Sequence, residues 1–89
     1  MKDFLDPRYT EAIGADLIKE VNVDGVERTY VCFLDRKGNY SEDIENQPCW
    51  QIKCVEKFGN TTRILWPDGS KNHAYIASQC ETYNYKYSI

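Results

Sequence analysis

The sequence predicts an all-β fold: a small, SH3-like five-stranded barrel with one short helical turn and an extended N-terminal arm. Three observations predict it. Two tight-turn dipeptides, Asp24-Gly25 and Gly59-Asn60, each stand between runs of strand-forming residues. The final stretch places Tyr83, Tyr85, Tyr87 and Ile89 at a strict period of two, with polar residues between them. The composition, 42 % hydrophobic with seven Tyr, is too apolar for disorder and suits strands better than a helix bundle. A length of 89 residues leaves room for one domain. It divides into an arm over 1–14 and a β domain over 15–89.

The arm mixes polar and aromatic residues without periodicity, and Asp6-Pro7 disfavours helix at Asp6. Phe4, Leu5, Tyr9 and Ile13 cannot be buried against one another in such a segment. The arm is therefore expected to become ordered against a neighbouring chain.

The first hairpin follows. Asp24-Gly25 tolerates the positive φ angles of a type I′ turn and pairs Val23 with Val26, Val21 with Arg28 and Ile18 with Val31. The return strand, Thr29-Tyr30-Val31-Cys32-Phe33-Leu34, is apolar on both faces, which predicts a central position. The connection from Asp35 to Pro48 is polar and long for so small a domain, so an irregular excursion pinned by Tyr40 or Ile44 is expected. Its acidic run, Glu42, Asp43 and Glu45, reads as a solvated face. It lacks the spaced Asp/Asn ligands and turn glycine of a calcium loop.

The second hairpin organises the chain. With Gly59-Asn60 as a two-residue loop, Phe58 pairs with Thr61, Glu56 with Arg63 and Cys54 with Leu65. One face then carries Trp50, Ile52, Cys54, Leu65 and Phe58 and reads as core. The other carries Gln51, Lys53, Val55, Lys57, Ile64 and Trp66. Pro67-Asp68-Gly69 ends the second strand. Ala74 to Cys80 is expected to form the short helix, with Asn72 as its N-cap.

A net charge of −3 argues against non-specific nucleic-acid binding, which wants a basic face. No window approaches the apolar length of a membrane span, and the first residues lack the apolar core of a secretory signal. Cys32, Cys49, Cys54 and Cys80 show no C-x2-C spacing, and His73 is the single histidine, so free thiols are expected in preference to a disulfide or zinc. There is no phosphate-binding glycine loop and no nucleophile–base pairing. No catalytic residue, cofactor or metal is expected.

From Trp50 to Tyr85 the chain resembles a module at the end of small proteins from tailed-bacteriophage structural gene clusters. That module runs Trp-x-Ile-Lys-x-Ile, a glycine turn, a strand, Trp-or-Tyr-Ala-Asp-Gly, a short helix and a Tyr-bearing last strand. The corresponding residues are Trp50-Gln51-Ile52-Lys53-Cys54-Val55, Gly59-Asn60, and Ile64-Leu65-Trp66-Pro67-Asp68-Gly69, followed by Ile76 and Tyr85. The chain departs from it at His73, Ala77 and Cys80, where the module carries an aromatic, a Trp and an Arg, and at Cys54, where it carries a basic residue.

The resemblance implies a non-enzymatic virion protein, an adaptor or decoration on head, neck or tail. Such a protein is made in the host bacterial cytoplasm and docks to other virion proteins as part of an oligomeric particle. The residues expected to carry docking are Phe4, Leu5 and Tyr9 of the arm and Val55, Ile64 and Trp66 of the second face. Tyr and Trp are enriched at interfaces. Two rival readings share these features. One is a small-barrel nucleic-acid or peptide binder with Tyr30, Trp66 or Tyr85 as stacking platforms. The other is a phage regulator of a host protein.

Overall fold

The computed structural model describes residues 11–38 and 42–88. Strands β1 (Leu17–Val23) and β2 (Val26–Leu34) form the first hairpin. A 3₁₀ turn at Ile44–Asn46 leads into the longest strand, β3 (Pro48–Phe58), which turns back into β4 (Thr61–Pro67). Then come the two-residue strand β5 (Tyr75–Ile76), a second 3₁₀ segment at Ala77–Thr82 and the two-residue strand β6 (Tyr85–Lys86). The described residues are 51 % strand and 12 % helix.

Every strand pairing is antiparallel, and the order across the sheet is β1-β2-β3-β4-β6, with β5 on the start of β3. Both hairpins have the register read from the sequence. Val23 faces Val26 and Ile18 faces Val31; Phe58 faces Thr61 and Cys54 faces Leu65. The turn chemistry explains this. Asp24 and Gly25 have φ of 53° and 80°, the double positive pattern of a type I′ turn, whereas in the second turn only Gly59, at 59°, lies on that side. A glycine in the first central position alone is the type II′ arrangement, which leaves Asn60 in ordinary backbone.

Register sorts the sheet into rows. On the core face, beyond the end pair Leu34 and Trp50, the first full row is Leu17, Cys32 and Ile52, and the second is Lys19, Tyr30, Cys54 and Leu65. The third row is Val21, Arg28, Glu56 and Arg63, and Val23, Val26, Phe58 and Thr61 lie at the hairpin tips. The 3₁₀ segments and β6 cover the first two rows. There Tyr30, Cys32, Trp50, Ile52 and Cys54 bury against Ala77 and Cys80, with Tyr75, Tyr83 and Tyr85 packed around them. The opposite face is also filled at its centre: Val31 and Val55 are fully buried, and Thr29 and Lys53 nearly so.

Side chains tie the cap to the sheet. The Trp50 indole N–H donates to the Ile44 carbonyl at 2.9 Å, so Ile44 pins the long connection. Tyr40, the other expected pin, lies outside the described residues. The Tyr83 hydroxyl accepts from the Ile76 N–H at 2.9 Å, and the Tyr83 ring meets Tyr75 edge-on at 5.0 Å. Tyr85 donates its hydroxyl proton to the Cys80 carbonyl and sets its ring 5.4 Å from that of Tyr30. At Asp68-Gly69 the chain needs glycine twice over: φ is 74°, and a Cβ would stand 3.1 Å from the Tyr87 carbonyl oxygen.

Four expectations are corrected. The sheet is open, not a closed barrel. A barrel closes when its first and last strands share a ladder. The final tyrosine stretch instead gives only Tyr85–Lys86 to β4, because the 3₁₀ segment runs on to Thr82. Between β1 and that segment the contact is made by side chains, Lys19 to Glu81 at 3.1 Å. Among the described residues there are six strands instead of five, two of them only two residues long. The helical piece begins at Ala77 after an extended N-cap, Ile76, and Asn72 does not cap it. Finally, Phe58 lies on the core face but 56 % exposed, since the cap ends short of its row.

Candidate docking surface

The expected docking residues divide into three groups. Phe4, Leu5 and Tyr9 lie outside the described residues. Val55 is fully buried within this chain and works as core. Ile64 and Trp66 are half-buried on the outer face of β4.

Around Trp66 the lysines of the second face find their reason. The Lys53 ammonium sits 5.8 Å from the Trp66 ring and 5.3 Å from that of Phe33, and Lys71 lies 5.2 Å from Trp66. Indole and phenyl faces attract cations, so lysines can share a face with aromatics without leaving their charge unsatisfied. Lys53 also donates to Glu11 at 2.7 Å, which fastens the start of the described chain to the sheet. Gln51 reaches across to the Lys71 carbonyl at 2.7 Å. This face is therefore largely occupied by its own contacts.

A more open surface lies where sequence reasoning did not look. The cap leaves the fourth row of the core face uncovered and the third only partly covered, with Val21 packed on the core and Glu56 keeping 16 % exposure. Val23 is 54 % exposed beside Phe58, so the hairpin tips present an apolar row to solvent. Directly behind it Glu56 accepts from Arg28 at 3.2 Å and lies 3.5 Å from Arg63. Two guanidinium groups thus share one carboxylate, and both arginine side chains keep over 40 % exposure while Glu56 keeps 16 %. A cleft of about 250 Å³ opens where cap and shelf meet, lined by Arg28, Glu56, Leu65, Asn84 and Tyr85.

The signal for this shelf was present in the turn positions. They place Val23, Val26 and Phe58 in one row; the extent of the cap was the missing quantity.

The thiols take no part in the surface. None of the four cysteines is in a disulfide, and all four are buried. Burial pushes the thiols of Cys32 and Cys54 up to about 12 and raises that of Cys80 as well. A thiol so held stays protonated and unreactive at neutral pH. Among the described residues no group of His, Cys, Asp and Glu is placed to hold a metal ion. No helix there is long and apolar enough to cross a membrane.

The fold and surface define a small open antiparallel sheet with a 3₁₀ cap and an apolar, arginine-edged shelf. Comparison with protein-family models, with curated proteins and with solved structures finds no match for this chain.

Proposed function

We propose that this chain is a non-enzymatic assembly protein of a tailed-bacteriophage particle, acting by docking to neighbouring virion subunits on head, neck or tail. What supports the reading is the likeness of Trp50 to Tyr85 to the module of phage structural proteins, because those residues have connected structural roles here. Trp50 and Ile52 form the centre of the core, Asp68-Gly69 makes the tight turn beside Tyr87, and Tyr85 locks the cap onto Tyr30. The exposed tip row gives such a protein something to dock with, since apolar surface grouped beside arginines is characteristic of interface cores.

Mass spectrometry of particles purified from cells expressing the gene tests the proposal. The chain is expected in the particles at a fixed ratio to the major capsid or tail protein. Its presence only in the soluble fraction of the lysate would overturn the virion role.

A further inference from the structure

The uncovered shelf and the acidic 3₁₀ loop stand at opposite ends of the molecule. The loop directly precedes Pro48, the first residue of β3, and the shelf ends at Phe58, the last. Eleven strand residues at about 3.3 Å each make roughly 36 Å. That is most of the 40 Å long axis. Both features lie on the same side of the sheet. The loop belongs to the cap, held by the Trp50–Ile44 hydrogen bond and by Ser78 donating to Asn46. The shelf is the part of that same face where the cap stops.

Their charges are opposite. On the shelf Arg28 and Arg63 share the single carboxylate of Glu56 and leave one positive charge over. On the loop Glu42, Asp43 and Glu45 are exposed, and the Asp43 carboxylate accepts an amide hydrogen bond from Asn46 at 2.6 Å. Two shelves facing each other would bring excess positive charge together, which disfavours a two-fold pair through this face.

We propose that this chain associates head to tail with further copies of itself, the acidic loop of one copy resting on the shelf of the next. The neighbour's loop continues the cap over the bare fourth row and the open edge of the third. Its Ile44 turn lies toward Val23, Val26 and Phe58, and its carboxylates meet Arg28 and Arg63. A heterologous contact of this kind is not self-satisfying, so it propagates into a ring or an open filament. The inference deepens the assembly role by naming a partner, and it rests on that reading only for its biological setting.

Sedimentation of the full chain tests it. At about 0.05 M salt, where charge pairs are weakly screened, species larger than 10.4 kDa are expected to grow with concentration and to shrink as salt rises. The shelf variant Phe58→Ser with Arg63→Gln and the loop variant Glu42→Gln with Glu45→Gln should each weaken association about tenfold or more. Circular dichroism establishes that both are folded. Mixed together, they retain one intact shelf and one intact loop, so a one-to-one dimer and nothing larger is expected.

A wild-type chain that stays monomeric up to about 1 mM overturns the proposal. So does association that ignores the loop variant, or a mixture that remains monomeric while the wild type assembles. A monomeric chain that is nonetheless found in particles would sink this inference and leave the virion role standing.

Discussion

Trp50 and Ile44 are joined by a 2.9 Å hydrogen bond from the indole N–H to a backbone carbonyl, at the point where the long connection enters the central strand. The bond does two things at once. It satisfies the one polar atom of a side chain that is otherwise 3 % exposed, and it fixes the acidic loop against the core.

Truncation and conservative replacement of Trp50 should therefore separate. Trp50→Ala removes the largest buried ring and is expected to cost roughly 3–5 kcal/mol, most of what a domain of this size has to lose. Trp50→Phe keeps much of the packing and loses only the indole bond, since the Ile44 carbonyl still accepts from the Gln47 N–H at 3.1 Å, so about 0.5–1.5 kcal/mol is expected. Urea denaturation of both variants measures the difference. A midpoint for Trp50→Ala close to wild type would show that the core does not centre on this ring.

Alkaline pH should loosen the fold through the thiols. Cys32 and Cys54 hold their protons to about 12 in the folded chain because burial disfavours the thiolate, whereas an unfolded thiol titrates near 8.5–9. The folded state binds more protons between those values. Stability is thus fully present below about pH 8.5 and falls as pH rises through the window, by about 1.4 kcal/mol per pH unit for each thiol. Denaturation at pH 8 and pH 10.5 should show the loss, and Cys32→Ala with Cys54→Ala should flatten the slope. Equal pH dependence in that double variant would place the loss elsewhere.

Lys53 and Glu11 make the next case. The Lys53 side chain keeps 11 % exposure and Glu11 keeps 34 %, with 2.7 Å between the charges. Removing one partner of a buried pair costs more than the pair is worth, because the other charge is left desolvated. Glu11→Gln is expected to destabilise by about 1–3 kcal/mol, less than for a fully buried pair since Glu11 is partly hydrated. Lys53→Met removes the buried charge and should be nearly neutral. If Lys53→Met proves the more damaging of the two, cation–ring contacts with Phe33 and Trp66 outweigh the ion pair.

The hairpins were legible because their turns carry their own chemistry. Asp24-Gly25 and Gly59-Asn60 set the register residue by residue, and register with a period of two then assigned Trp50, Ile52 and Cys54 to the core. Closure of the sheet was not legible. The alternating tyrosines look like a strand, but Tyr83 and Tyr85 are used as hydrogen-bonding anchors for the 3₁₀ cap, a tertiary role that periodicity does not encode. The docking stripe was misjudged at Val55 for a related reason: the alternation of Lys53 and Lys57 with apolar residues resembles a half-wet face. Ring contacts and Glu11 allow Lys53 to be buried beside Val55.

Phe58 separates a core face from a core. It shares the face of Trp50, Ile52 and Cys54, yet the cap stops short of it and leaves it 56 % exposed. Its contribution to the stability of the isolated chain should be correspondingly small. Phe58→Ser is expected to shift unfolding free energy by no more than about 0.5–1 kcal/mol, against several for Trp50→Ala. The type II′ turn beside it depends on Gly59, not on the ring, so the hairpin should persist. The amide spectrum should accordingly change only near residues 56–61 and along Val23 and Val26. Spectral changes reaching Cys54 or Tyr85, or a loss of stability comparable to that of Trp50→Ala, would mean that Phe58 belongs to the core and that the shelf is shorter by one row.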